Sequence, residues 1–337
     1  MLLFNGLVYA HLLLVKVKNK YFIGLSFLVL FVLLGFRDVS VGTDTANYEQ
    51  IFFRAISGDE LRHEVLWIAF NKFVNFLGGN FQAFLVISAL LTLVPIYSIY
   101  FKYSPYPLFS VLIYLTFYYY FYAFNIMRQG VASSLAFYSM LLFINGKNLR
   151  FWVCILAASF VHFSVIIVIP ALYLARIFRK INLSNFIIII LQCITSIIGL
   201  FFYRTFMSYG QQYFYGNYEI EEFFSLFGTS LYLILTNLFL IFVSSIIRNK
   251  NEWYYMFVFF VLFSNLVVLI PYASRLTTVL GMSATLFLPL LLNNNRLKYN
   301  VRFVGLGIIL IYSLLVFYRY IGNGGILPYT NVLFSSH

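Results

Sequence analysis

The segment NFIIIILQCITSIIGLFF, residues 185–202, runs eighteen residues without a charge, and stretches like it recur from one end of the chain to the other. About 20 apolar residues cross the hydrocarbon core of a bilayer as a helix. Inside lipid every backbone N–H and C=O must find a partner within the protein, which leaves only helices and closed barrels. Barrel strands alternate apolar and polar residues, whereas these runs are continuous, so helices are expected. Eleven segments qualify: 1–15, 21–36, 81–101, 106–124, 128–145, 151–177, 185–206, 229–247, 253–270, 276–292 and 303–321. The fold class expected is therefore an all-α polytopic membrane protein of about 10–12 transmembrane helices, forming one integral domain over 1–337. Composition agrees: 62% of residues are hydrophobic and 9% charged, against about 25% charged in soluble domains.

The net charge of +12 would suggest nucleic acid in a soluble protein. Here most of it lies in short loops, where Lys and Arg orient spans, so no nucleic-acid partner is implied. Lys16/Lys18/Lys20, Lys102, Lys147/Arg150, Arg176/Arg179/Lys180, Arg248/Lys250 and Arg296/Lys298/Arg302 hold fourteen of the 22 basic residues. If these loops are cytoplasmic, the segments 37–63, 125–128, 207–228, 271–275 and 322–337 face the other side, and only Glu252 of the ten acidic residues stays with the basic loops. Cys154 and Cys193 sit in apolar runs without CxxC spacing, so neither a disulfide framework nor a metal site is expected. In MLLFNGLVYAHLLLVKVKNK the charge follows the apolar run, the reverse of a cleavable signal peptide, and 1–15 reads as a first span or signal-anchor.

One parity conflict is informative. Residues 147–150 and 176–180 are both basic, yet only one long apolar segment separates them. Either a single tilted helix violates the charge rule, or a helical hairpin turns near Val161-His162-Phe163 and returns both clusters to one side. Outer elements are expected at 37–80, a loop plus an interfacial amphipathic helix, and at 207–228. In HEVLWIAFNKFVNFLGGN (63–80), Trp67, Phe70, Val74 and Leu77 recur at helical spacing, with Asn71, Lys72 and Asn75 elsewhere, before Gly78-Gly79 ends the helix. FYYYFYAF (117–124) reads as an interfacial tyrosine belt or a sugar-stacking platform.

Charges that do not orient basic loops carry the chemistry. They include Arg37, Asp38, Asp44, Arg128, His162, Arg204, Arg275 and Arg319. A charge at membrane depth is costly and marks a cavity or a partner. Arg37, Arg128, Arg275 and Arg319 fall at the same end of separate spans, where converging guanidiniums would bind a polyanion such as a diphosphate; the alternative is that each snorkels to headgroups. Gly42-Thr43-Asp44 reads as a turn in which Asp44 either caps the following helix or pairs with Arg37 or serves as a base. Tyr48 follows one helical turn later and faces the same way. NIMRQGVASSLAFYS (125–139) opens a span with Arg128 and Gln129 and continues with small residues that let helices approach closely. His162, at the suspected turn, is either a satisfied core histidine or a proton-transfer group. Walker A, dinucleotide-glycine, HExxH and DxD patterns are all absent, so no cofactor or metal is expected.

FRDVSVGTDTANYEQIF (36–52), NIMRQGVASSLAFYS, AASFVHFSVIIVIP and PYASRL, in this order and spacing, resemble the EpsG family of Wzy-like polysaccharide polymerases. The resemblance implies a bacterial inner-membrane glycosyltransferase with a GT-C-type, multi-helical, metal-independent fold and a cavity facing the periplasm. It implies undecaprenyl-diphosphate-linked oligosaccharide units as donor and acceptor, membrane lipid as surroundings and a chain-length regulator as a further partner. Arg128 and Arg275 are expected on the diphosphate, Arg37 and Asp44 in the catalytic pocket, Asp44 or His162 as base, and Tyr48, Gln129, Tyr272 and Arg319 on substrate. A membrane O-acyltransferase of surface polysaccharide is the alternative enzyme. A lipid-linked oligosaccharide flippase is the transporter alternative, although no internal repeat of that kind is visible.

Overall fold

The computed structural model describes residues 20–58, 64–205, 222–247, 250–267, 274–293, 299–320 and 324–333. The expected first span 1–15, and most of the expected outer loop 207–228, lie outside them. The helices are α1 (Lys20–Gly35), α2 (Thr45–Ser57), α3 (Val65–Phe76), α4 (Phe81–Tyr103), α5 (Pro107–Thr116), α6 (Tyr119–Asn125), α7 (Met127–Ile144) and α8 (Asn148–Val161). After a 3₁₀ turn (Phe163–Ile167) come α9 (Val168–Ile181), α10 (Asn185–Thr205), α11 (Glu222–Ile246), α12 (Glu252–Val267), α13 (Ser274–Gly281), α14 (Ala284–Leu292) and α15 (Tyr299–Tyr320). Extended pairing among the described residues is limited to one antiparallel bridge, Arg37 with Asn331. The chain is an all-α polytopic membrane protein.

The apolar segments form helices of unequal length among the described residues. Among the described residues, four helical stretches are long and apolar enough to cross a bilayer: Phe81–Tyr103, Asn185–Phe202, Arg275–Leu292 and Asn300–Tyr318. A fifth is the pair α5 and α6, bent by 51°. The bend is local chemistry. Tyr118 between the two helices adopts a left-handed conformation, φ 68°, which no helix continues through. Other apolar helices, such as Asn148–Val161 and Glu252–Val267, are shorter.

α7 is the central element. Its small residues Ala132, Ser133, Ser134 and Ala136 are buried, and they allow α4 and α8 to pack directly on it. The Ser134 hydroxyl donates to the Thr92 carbonyl at 2.6 Å, and the Cys154 thiol donates to the Leu135 carbonyl at 3.3 Å. Small side chains and backbone acceptors thus satisfy each other where water is absent.

The parity conflict resolves as a hairpin. α8 ends at Val161, His162 is extended (φ −157°, ψ 116°), and the 3₁₀ turn leads into α9. Both basic ends then meet at Phe143, near the end of α7: the Phe151 ring lies 5.1 Å away, and the Arg176 guanidinium stacks at 4.0 Å and donates to the Phe143 carbonyl. Arg179 pairs with Glu252, Lys250 donates to the Leu183 carbonyl, and Asn145 bonds Tyr103 beside Lys102 at the same end. The hairpin tip lies at the opposite end of α7, about 22 Å away at 1.5 Å per residue.

Two sequence readings change here. α3 does bury Trp67 and Val74, but Asn71 joins them, its amide donating to the Trp67 carbonyl at 2.7 Å. Phe73, Phe76 and Leu77 are exposed beside Lys72 and Asn75, so the outer face of α3 mixes apolar and polar residues. FYYYFYAF forms no tyrosine belt. Tyr118, Tyr119, Tyr120 and Phe124 are core residues, and the Tyr120 hydroxyl donates to the Leu30 carbonyl at 2.8 Å.

Candidate active site

Beneath the tip end of α7 lies a small aromatic core. Tyr48 and Phe52 from α2, Trp67 from α3, Phe81 and Phe84 from α4, and Met127 and Val131 from α7 are all buried in it. Trp67 packs edge-on to both Tyr48 and Phe84, with ring centres 5.9 and 5.2 Å away. This core fixes the starts of α2, α3 and α7 relative to one another. The polar residues at those starts are therefore held in place rather than carried on free loops.

They line one cleft of about 220 Å³. α2 and the residue before it supply Asp44, Asn47 and Tyr48. The start of α7 supplies Arg128 and Gln129, the hairpin tip supplies His162, and α13 supplies Arg275. Gln129 is buried, and its amide nitrogen donates to the Arg275 backbone carbonyl, which ties α7 to α13. The Tyr48 hydroxyl reaches Arg128. Six residues singled out in the sequence, Asp44, Tyr48, Arg128, Gln129, His162 and Arg275, thus come together from four parts of the chain. The capping role considered for Asp44 does not occur. Asp44 occupies the N-cap position of α2, but its carboxylate makes no cap hydrogen bond; among the described residues it accepts a long bond from Thr43 Oγ1 at 3.4 Å.

Glu64 was not singled out, and it organises the cleft wall. Its Oε2 pairs with Arg128 Nη1 at 2.5 Å, and its Oε1 lies 2.8 Å from His162 Nδ1. Burial pushes the Glu64 carboxyl up, but its own backbone N–H, the Arg128 charge and the His162 hydrogen bond outweigh this and leave it below the usual carboxylate range. Burial lowers His162 below its ordinary value; the contact with Glu64 opposes that shift, and the charges of Arg128 and Arg275 reinforce it. His162 is accordingly neutral at pH 7 beside an ionised carboxylate. The sequence signal for Glu64 was a carboxylate placed directly before an apolar helix.

Arg37 is a correction. It is 1% exposed and does not line the cleft. Its Nη1 donates to the Leu34 carbonyl at 2.6 Å and its Nη2 to the Phe124 carbonyl at 3.4 Å. With both Nη groups turned to backbone acceptors and Nε buried, the guanidinium is closed off from the cleft. Tyr272 lies outside the described residues. Arg319 lies on α15 with its side chain outside them, as does that of Arg204 on α10. Of the expected arginines whose side chains are described, Arg128 and Arg275 share the cleft and Arg37 does not.

Among the described residues no three of His, Cys, Asp and Glu gather as metal ligands. What the cleft offers is two guanidiniums for an anion, carboxylate and imidazole groups for a proton, and tyrosine and amide groups for hydroxyls.

A multi-helix membrane protein with an arginine-lined cleft at the end away from its basic loops is the class these observations define. The match to the EpsG family covers residues 20–331, and the chain belongs to that family, which is associated with polysaccharide biosynthesis. No curated protein and no solved structure matches the chain.

Proposed function

We propose that the protein is a polysaccharide polymerase, a membrane glycosyltransferase that joins oligosaccharide units carried on undecaprenyl diphosphate. The observation that carries this reading is the pairing of Arg128 and Arg275 in one cleft with Asp44, Tyr48, Gln129 and His162. Two guanidiniums on separate helices suit a diphosphate, whose charge grows as it leaves. The acceptor hydroxyl attacks the anomeric carbon, the C–O bond to the diphosphate breaks, and the electron pair departs on the phosphate oxygen. The hydroxyl proton passes to a base, for which the cleft offers Asp44 and His162. Tyr48 and Gln129 supply hydrogen bonds to sugar hydroxyls. Preorganised arginines make metal and cofactor unnecessary to this scheme.

Basic loops orient membrane proteins toward the cytoplasm. The clusters around Lys147, Arg176 and Lys250 meet at one end of the bundle and the cleft lies at the other, which supports an extracytoplasmic site in the bacterial inner membrane. A chain-length regulator would meet the protein on that side. The test is to express Arg128→Ala and Arg275→Ala in cells lacking the wild-type protein. Polymer should disappear while single lipid-linked units still reach the outer face. Long polymer in both variants would remove the diphosphate assignment.

A further inference from the structure

We propose that Glu64 is a positioning residue that fixes the tautomer of His162 and thereby makes His162 Nε2 the general base of glycosyl transfer. This rests on the polymerase reading above and chooses between the two bases that reading left open.

The geometry begins with a helix start. Glu64 precedes α3 with extended backbone (φ −63°, ψ 141°), and its carbonyl accepts from the Trp67 and Ile68 N–H groups at 3.0 and 3.1 Å. Its side chain makes no cap bond, so the carboxylate is available to the cleft. The backbone beneath it is anchored by Trp67, which is 1% exposed. On the facing side, the His162 N–H donates to the Ala158 carbonyl at 3.0 Å, closing α8 and aiming the imidazole out of the hairpin tip. Two separately anchored backbones thus meet through one short side-chain contact.

An ionised carboxylate only accepts hydrogen bonds. The proton in the 2.8 Å contact between Glu64 Oε1 and His162 Nδ1 therefore sits on the imidazole, and the lone pair is left on Nε2. The same logic operates wherever a carboxylate orients a catalytic or metal-bound histidine. The groups facing His162 are Glu64 from just before α3, Arg128 from α7 and Arg275 from α13, with Asp44, just before α2, and Tyr48 of α2 in the same cleft. The 3₁₀ turn and α9 present no charged group beside it. Among the described residues the Asp44 carboxylate accepts a hydrogen bond from Thr43 Oγ1 at 3.4 Å, a longer contact than the 2.8 Å between Glu64 and His162.

In the transfer step the acceptor oxygen bonds to the anomeric carbon as the bond to the diphosphate breaks. The hydroxyl proton moves to Nε2, and the leaving electron pair stays on the diphosphate against Arg128 and Arg275. Glu64 then stabilises the imidazolium that forms. Its second oxygen holds Arg128, so one carboxylate sets the relative position of the base and of a diphosphate ligand.

Two readouts on the full-length protein in lipid nanodiscs test this. The first is carbethoxylation of His162 by diethyl pyrocarbonate, followed by peptide mass spectrometry across pH; it reports the unprotonated imidazole and needs no turnover. Glu64→Gln should move the His162 midpoint to lower pH, because the anion that favours the imidazolium is gone, while Glu64→Asp should hold it near wild type. The second is polymerisation of synthetic lipid-linked units. Glu64→Gln should lower kcat about 10–100-fold, shift the acid limb of kcat in the same direction and leave KM for the donor within about threefold; Glu64→Asp should recover part of kcat. A folded Glu64→Gln protein with an unmoved midpoint and wild-type kcat overturns the proposal while the polymerase reading stands. If Glu64→Gln does not fold, Glu64→Ala takes its place, and a folded Glu64→Ala protein with an unmoved midpoint and wild-type kcat overturns the proposal as well. A shifted midpoint in a wild-type background that never polymerises removes the polymerase reading and leaves the Glu64–His162 coupling.

Discussion

The Arg37 guanidinium lies 5.1 Å from the centre of the Phe124 ring and donates to the carbonyl of that same residue. Phe124 sits near the end of α6, three residues before α7 begins and four before Arg128. The Thr45 hydroxyl reaches the Phe124 carbonyl too, at 3.3 Å. Arg37 and Thr45 therefore clamp the segment from which the cleft arginine springs. Burial lowers Arg37 to about 10, which leaves it charged at neutral pH.

Replacing Arg37 should act through stability. Arg37→Ala removes a buried charge with its hydrogen bonds and leaves a cavity, a loss of about 3 kcal/mol. Arg37→Lys should rescue little, because an ammonium cannot reproduce the planar fork that addresses two carbonyls. The expected result is a lower melting temperature in detergent and reduced protein in membranes for both variants. Arg128→Ala, whose side chain is 24% exposed, should lose polymer with far less change in melting temperature. Equal melting temperatures for Arg37→Ala and wild type would contradict the clamp.

Much of this arrangement was legible as charge out of place. Arg128, His162 and Arg275 stood out because lipid makes any charge near a span expensive, and two basic clusters flanking one apolar segment made a hairpin at His162 one of two readings, the other a single tilted helix. Glu64 was harder to see. It is one of several carboxylates in that stretch, and its meaning depends on a histidine 98 residues away. Arg37 misled for a related reason: its partners are the carbonyls of Leu34 and Phe124, and backbone acceptors leave no mark in a sequence. The breaks inside apolar runs were hidden as well. Tyr118 in the left-handed region and His162 in the extended region interrupt runs whose composition alone is continuous.

Gly42 opens the turn that carries Asp44, and it should tolerate no side chain. Its φ is +92°, and an added Cβ would lie 2.8 Å from Asn125 Oδ1 and 2.9 Å from the Phe124 carbonyl. Gly58 has nearly the same backbone, φ +88°, but nothing within 4 Å. Gly58→Ala should thus show the conformational cost alone, about 1–2 kcal/mol, with polymerisation retained. Gly42→Ala should lose a further ~1–3 kcal/mol from overpacking and should lose polymer as Asp44 is displaced. Unfolding midpoints of the two variants, measured side by side, isolate the contact. Identical losses would show that the close approach to Asn125 has no energetic weight.

α10 and α12 meet at a second glycine. A Cβ on Gly199 would run into the Asn265 carbonyl, and beside it the Asn237 amide donates to Asn265 Oδ1 at 2.7 Å while Gln192 donates to Asn237 Oδ1 at 2.9 Å. Side-chain amides join helices well in lipid when the backbones approach closely. Gly199→Ala should force the helices apart and cost about 2 kcal/mol or more. Gly307, on α15, has nothing within 4 Å, so Gly307→Ala should be neutral or stabilising by up to about 1 kcal/mol. Thermal unfolding of the purified variants separates the two; a Gly199→Ala protein as stable as wild type would mean that the helix contact is looser than described.

The last described segment, 324–333, latches the turn that presents Asp44. Gly42 N–H donates to the Gly325 carbonyl at 2.8 Å, Thr43 N–H to Gly324 at 3.3 Å, Asp38 N–H to Thr330 at 3.2 Å, and Val332 N–H to Phe36 at 3.0 Å. The Asn125 amide donates to the Gly324 carbonyl at 3.0 Å, and the Tyr329 hydroxyl to the Leu33 carbonyl at 2.9 Å. Each bond contributes about 0.5–1.5 kcal/mol net, and together they order a stretch of α1–α2 connection that has no helix of its own. A chain ended after residue 323 keeps every helix and both cleft arginines. Its circular dichroism should match that of the full chain, its melting temperature should fall, and polymer should be lost because Asp44 and Tyr48 are no longer held across from Arg128. Tyr329→Phe, which removes the bond to Leu33 and the one the Tyr329 oxygen accepts from the Asn331 amide at 3.0 Å, should cost about 1–2 kcal/mol and keep activity. If the truncated protein makes polymer of unchanged length and amount, the latch has no part in shaping the cleft.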